Sequence, residues 1–202
     1  MGIVLAIKYV NVVEKTNDDV LRRVAKHYPK RDTQGLSNEK IAEHEAVINC
    51  IEELLGSEDW WVEHEDSGAP TLFIDGIRGN MSISISHAID KVNNRQIVAR
   101  AAVILRKGSP QESSRIGVDI VIKGDPRLER IASRVMRKVE VESGRLEEVW
   151  ACKEAMFKAL GPGLDFVKDL KVGFISNDLL KGLGRKWEVR RKGNAVVVLG
   201  PV

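Results

Sequence analysis

The stretch Trp150-Ala-Cys-Lys-Glu-Ala-Met-Phe-Lys158, with Gly161 close behind, is the one around which the chain is organised. As a helix it sets Trp150, Glu154 and Lys158 at i, i+4 and i+8, so an aromatic ring, a carboxylate and an ammonium stack along one face. Such a face can hold a metal and a phosphate together. An arbitrary Glu–Lys pair at this spacing is a surface ion pair worth about 0.2–0.5 kcal/mol. The functional reading therefore depends on what else the chain carries.

Two further stretches stand upstream. From Met81 to His87, Ser82, Ser84 and Ser86 alternate with Met81, Ile83 and Ile85, the pattern of a half-buried strand with a polar face. It ends in Ser84-Ile-Ser-His87, where an imidazole either caps the strand or projects into a cleft. From Arg115 to Ile122 a β-branched run carries Gly117-Val-Asp-Ile120. An aspartate buried in such a strand is costly unless compensated, by a basic neighbour or by a bound cation.

Taken in order, the Ser-x-Ser-His strand, the Gly-Val-Asp-Ile strand and the Trp-x-x-Lys-Glu-Ala-x-x-Lys helix resemble the 4'-phosphopantetheinyl transferase superfamily. The likeness is to its longer, two-lobed members of the surfactin-synthetase type, over roughly residues 37 to 175. It implies an α+β fold of two similar lobes related by pseudo-twofold symmetry, residues 1–108 and 109–202. Each would be a small, mainly antiparallel sheet packed with helices, with the ligand cleft between the lobes. The implied activity is that of a holo-acyl-carrier-protein synthase: transfer of 4'-phosphopantetheine from coenzyme A to a serine of an acyl or peptidyl carrier protein, releasing 3',5'-ADP. Magnesium would be held by Asp119 and Glu154, with Glu154 and Lys158 catalytic. Ser86, His87, Lys153 and Lys158 would contact the cofactor, His87 at the 3'-phosphate of coenzyme A.

Three positions depart from the family's pattern. Ala69 stands where a turn lysine usually reaches a phosphate, and Ile48 where a helix arginine often occurs. Val121 replaces a third carboxylate, as in the short holo-acyl-carrier-protein synthases, which manage with two. The alternative function is a degenerate relative that binds coenzyme A or a carrier protein without transfer.

The rest of the chain is consistent with a folded enzyme. Of its 202 residues 43% are hydrophobic and 30% charged, and the net charge of +3 gives no argument for nucleic acid. Cys50 and Cys152 lie mid-helix without metal-ligand spacing and read as small buried groups, which fits a reducing cytoplasm. The apolar opening reads as a strand over residues 3–13, and no run approaches a membrane span. Thr16 to Asp19 caps a helix from Val20 to His27, and Ser37 or Asn38 caps a core helix that Gly56 stops. His44 falls on that helix's polar side, read as solvated. Trp60 to Glu65 and Thr71 to Ile74 read as strands, the adjacent tryptophans facing opposite ways. Ile97 to Leu105 reads as a buried strand, and Lys107 to Ser114 as the bridge between lobes.

Asp125 and Pro126 start a helix bearing Arg127, Arg130, Arg134, Arg137 and Lys138. This is either a solvated face or a basic stripe for an acidic carrier protein. The motif helix spans about Arg145 to Leu160. Three strands close the chain, Leu170–Ser176, Lys186–Arg191 and Ala195–Leu199, the last two joined by a Lys192-Gly-Asn194 hairpin. The expected protein is a monomer.

Overall fold

A computed structural model of the chain describes residues 2–13, 17–33, 35–57, 59–92, 96–108 and 115–202. The chain divides into two units, Ile3–Ser114 and Arg115–Val202. Residues 109–114 and Thr16, to which the sequence assigns the bridge and a cap, lie outside the described residues.

In the first unit the longest helix decides the packing. Its N-terminus is capped by the Ser37 side chain, which accepts from the Lys40 N–H, and Gly56 at φ 65° ends it in the left-handed conformation that glycine adopts without strain. Between them α2 (Asn38–Leu55) follows β1 (Val4–Asn11) and α1 (Asp18–His27) and precedes β2 (Trp60–His64), β3 (Pro70–Ile74), β4 (Ile77–Arg78), β5 (Met81–Val92) and β6 (Gln96–Lys107). β6 lies between β1 and β5 in one antiparallel sheet, and β2, β3 and β4 form a second. Ile41, Val47, Ile48 and Ile51 of α2 bury against Ala101, Val103 and Leu105 of β6 and Ala6 of β1. Opposite those β6 residues stand His87, Ile85 and Ile83 of β5, so the odd-numbered side of β5 faces α2.

Trp60 is buried and stacks on His27, whereas Trp61 stacks on Phe73, so the two rings do take opposite faces. His44 departs from its expected solvated position. It is 8% exposed beside the Tyr28 ring, its Nε2 has no hydrogen-bond partner, and burial brings it down to about 4, so the ring is neutral. Its neighbours among the glutamates made the position look polar, but α2 buries more than one stripe.

The second unit runs β7 (Gly117–Ile122), α3 (Pro126–Val135), α4 (Lys138–Glu142), α5 (Leu146–Leu160), β8 (Val172–Ser176), β9 (Leu179–Gly182), β10 (Arg185–Lys192) and β11 (Ala195–Gly200). Its five strands form one antiparallel sheet in the order β7-β11-β10-β9-β8. Within each unit the first strand pairs with the last, and the longest helix lies against both. The fold class is thus α+β with antiparallel sheets.

The strands β4 and β9 and the division of the basic helix into α3 and α4 differ from expectation. β9 is an additional strand too short for alternation to reveal, placed by hairpins to β8 and β10. The basic helix ends at Val135, because Met136 turns extended and Arg137 becomes the N-cap residue of α4. Arg137 binds Glu140 and the Val172 carbonyl and leaves the stripe.

Candidate functional site

β7 and α5 approach more closely than side chains normally permit. A Cβ on Gly117 would stand 1.8 Å from the Ala155 carbonyl oxygen and 3.1 Å from the Ala159 nitrogen, so only glycine admits the helix here. The strand's pleat then turns Asp119 and Val121, two and four residues on, to the same side as Gly117. Val121 joins the apolar core with Leu128, Ala132 and Val149, so the place of the missing third carboxylate is packed hydrocarbon.

Asp119 is 7% exposed, and its Oδ1 accepts from Lys158 Nζ at 2.6 Å; the same ammonium lies 3.2 Å from the Val118 carbonyl oxygen. Glu154, one turn before Lys158, is partly buried. Burial pushes its carboxyl above the ordinary range and the charge of Asp119 adds to this, with only partial offset from Lys158. The fold thus gathers two carboxylates and one ammonium from sequence-distant stretches. The charge of Asp119 beside Glu154 is of the kind that a cation relieves.

Among the described residues no group of three or more His, Cys, Asp and Glu side chains could hold a metal ion. The donor set nevertheless suits magnesium, which usually takes one or two carboxylates and completes its octahedron with water and substrate phosphate. Trp150, on the same face of α5, stacks on Phe166 with ring centroids 5.5 Å apart.

Lys153 is held elsewhere. It is fully buried, 3.0 Å from Glu140 Oε2, and donates to the carbonyls of Phe166 and Leu170 at 2.5 and 2.7 Å. The expectation that it meets a cofactor phosphate gives way to a structural one: it ties α5 to α4 and to the segment before β8. Burial lowers its pKa, opposed by Glu140. The carboxyl of Glu140 stays below the usual range despite burial, because the N–H groups of Val172 and Arg137 and the lysine all donate to it.

In the first unit His87 lies within β5 rather than at its end, since the ladder to β6 continues to Val92. Its imidazole is partly exposed and faces α2, with Nδ1 3.2 Å from Glu43 Oε1. Glu43 also accepts from Lys40 Nζ at 2.6 Å. Burial opposes its ionisation, but hydrogen bonds from His87 and Lys40 outweigh that and bring it down to about 2. Sequence reasoning missed Glu43; the available signal was its position on α2 one turn beyond Lys40. Ser86 is buried, and the pleat sends it to the face opposite His87. Ala69 sits exposed in the turn between β2 and β3, and Ile48 is fully buried in the core.

No curated protein matches the chain. Residues 115–192, which take in β7 with Asp119 and all of α5, match the model of the 4'-phosphopantetheinyl transferase superfamily. Phosphopantetheine transfer is the chemistry of that family, and residues 115–192 are the part of the chain that is similar to it.

Proposed function

We propose that the protein transfers 4'-phosphopantetheine from coenzyme A to a serine hydroxyl of an acyl or peptidyl carrier protein, with 3',5'-ADP as the leaving group. The observation that carries this reading is the convergence of Asp119, Glu154 and Lys158 where Gly117 lets α5 approach β7. Transfer at a pyrophosphate needs positioning and charge neutralisation more than covalent help. Asp119 and Glu154 would hold magnesium, which when bound neutralises the pyrophosphate and the charge that develops on the leaving oxygen.

Lys158, which pairs with Asp119, would turn to a phosphate oxygen and stabilise charge there. The serine hydroxyl oxygen forms the new bond to the β-phosphorus as the bond to the 3',5'-ADP oxygen breaks, and the hydroxyl proton is released to water. His87, with its partly exposed ring, would be the contact for the 3'-phosphate; Ser86, buried on the opposite face of the strand, would support the strand rather than touch the same group. The buried core position of Val121 leaves two protein carboxylates to serve, as the apolar Gly-Val-Asp-Ile-Val stretch also suggests.

Mass spectrometry of an apo-carrier protein incubated with coenzyme A, magnesium and this protein tests the reading. A mass gain of one phosphopantetheinyl group on the carrier serine is expected. Binding of coenzyme A with no gain on carriers from fatty acid, polyketide and peptide synthesis would support the non-catalytic alternative instead.

A further inference from the structure

We propose that Glu43 is a positioning residue that fixes His87, together with Lys40, as an anion-facing donor pair on the first unit. The inference rests on the reading of His87 as the contact for the 3'-phosphate of coenzyme A. It assigns a role to a residue outside every motif recognised in the sequence.

The side chain of Glu43 is 6% exposed on a helix otherwise packed into the apolar core, where an ionised carboxylate is costly unless each oxygen is engaged. Each is: Oε1 faces His87 Nδ1 at 3.2 Å, and Oε2 accepts from Lys40 Nζ at 2.6 Å. An ionised carboxylate only accepts hydrogen bonds, so Glu43 cannot itself meet an anion. Both of its partners can. The Lys40 side chain is 50% exposed and keeps two further N–H donors, and His87 is 39% exposed.

With Nδ1–H committed to Glu43, the imidazole cannot flip, and Nε2 points away from the buried carboxylate. An anion accepted at Nε2 needs an N–H there as well, so the ring would meet it as a donor on both edges. The arrangement matches the way a carboxylate behind a functional histidine sets its tautomer and orientation. His44, the neighbouring imidazole on α2, stays neutral through burial, and Ala101 opposite His87 on β6 brings no charge. A wholly structural ion pair would affect stability alone; a positioning role also affects how the protein discriminates ligands.

The test compares the affinities of the full chain for coenzyme A and for its 3'-dephospho form by calorimetry. Wild type, His87→Ala, Glu43→Met and Glu43→Gln are measured, with the His87 ring nitrogens followed by NMR. Wild type should prefer coenzyme A, and His87→Ala should lose the preference. Glu43→Met should lose it by about tenfold, the worth of one charge-assisted hydrogen bond, while keeping its affinity for the dephospho form. Glu43→Gln, which keeps an acceptor for Nδ1, should recover part of it.

If Glu43→Met keeps the wild-type preference while His87→Ala loses it, the role of Glu43 is overturned and the assignment of His87 stands. If His87→Ala keeps the preference, or wild type has none, both fall. Should Glu43→Met not fold, the Gln variant decides. A mixed tautomer signal with a weakened preference supports the role, and wild-type behaviour in both readouts overturns it.

Discussion

Glu154 carries two opposing demands, because its helix face buries it beside Asp119 while the proposed chemistry needs it ionised. Its folded-state pKa is raised by burial and by that neighbour. A raised value means that its contribution favours the fold at low pH and is lost as pH rises through the folded pKa. A divalent cation at the pair reverses this, because binding expels the proton. The rise in melting temperature on adding magnesium should therefore be larger near about pH 8 than near about pH 5. A shift that is equal at both, or larger in acid, would remove Glu154 from the metal site. His87 shows the limit of reading such residues one at a time. Its presence in a polar-faced strand was plain from the Ser-Ile-Ser-His pattern. The carboxylate that holds it was not, since it comes from a helix more than forty residues earlier.

Helix α5 was legible almost to its ends, because its motif, Gly161 and the apolar residues between them agree on one conformation. What the sequence could not convey was how closely the helix would approach β7. Gly117 looked like part of a strand motif; its function is to remove the Cβ that would collide with the Ala155 carbonyl. Gly117→Ala should force α5 outward, destabilise the protein by about 1–3 kcal/mol as overpacking does, and lower kcat by moving Glu154 and Lys158 away from Asp119. Normal stability and turnover in that variant would show the approach to be dispensable.

Lys153 lies on the same helix, where helical spacing put it about 100° from Glu154 and left its direction open. The fold turns it inward to Glu140. Lys153→Met should lower stability by about 3 kcal/mol by leaving that buried carboxylate short of one partner, yet leave coenzyme A affinity unchanged in the folded variant. Calorimetry below the unfolding transition checks this, and a selective loss of affinity would return Lys153 to the phosphate. The basic stripe was misjudged for a different reason: 3, 4, 3 spacing extends through Arg137, but the break at Met136 ends the helix first.

Most strands and helices were readable from alternation, helical spacing and turn residues, whereas their α+β arrangement was what the family resemblance implied; β4 and β9 were lost because such short runs carry too little pattern. The family match takes in the second unit's site residues, and a surface for the proposed carrier protein is argued from charge instead. Arg127, Arg130 and Arg134 remain exposed on α3 after Arg137 is withdrawn. Steering by exposed charge acts mainly on association and fades with salt. The double variant Arg130→Glu, Arg134→Glu should raise the KM for an acidic carrier severalfold and leave that for coenzyme A alone. An unchanged carrier KM would exclude α3 from docking.

The central question for the molecule is whether the two carboxylates brought together by β7 and α5 act through a shared cation. Its most direct measurement is the magnesium dependence of phosphopantetheine transfer by wild type and by Glu154→Gln, each confirmed folded. Wild type should show transfer that is lost on chelation and restored by magnesium, and the variant should show none at any magnesium concentration. Transfer by Glu154→Gln at the wild-type rate, with the wild-type magnesium dependence, would contradict it.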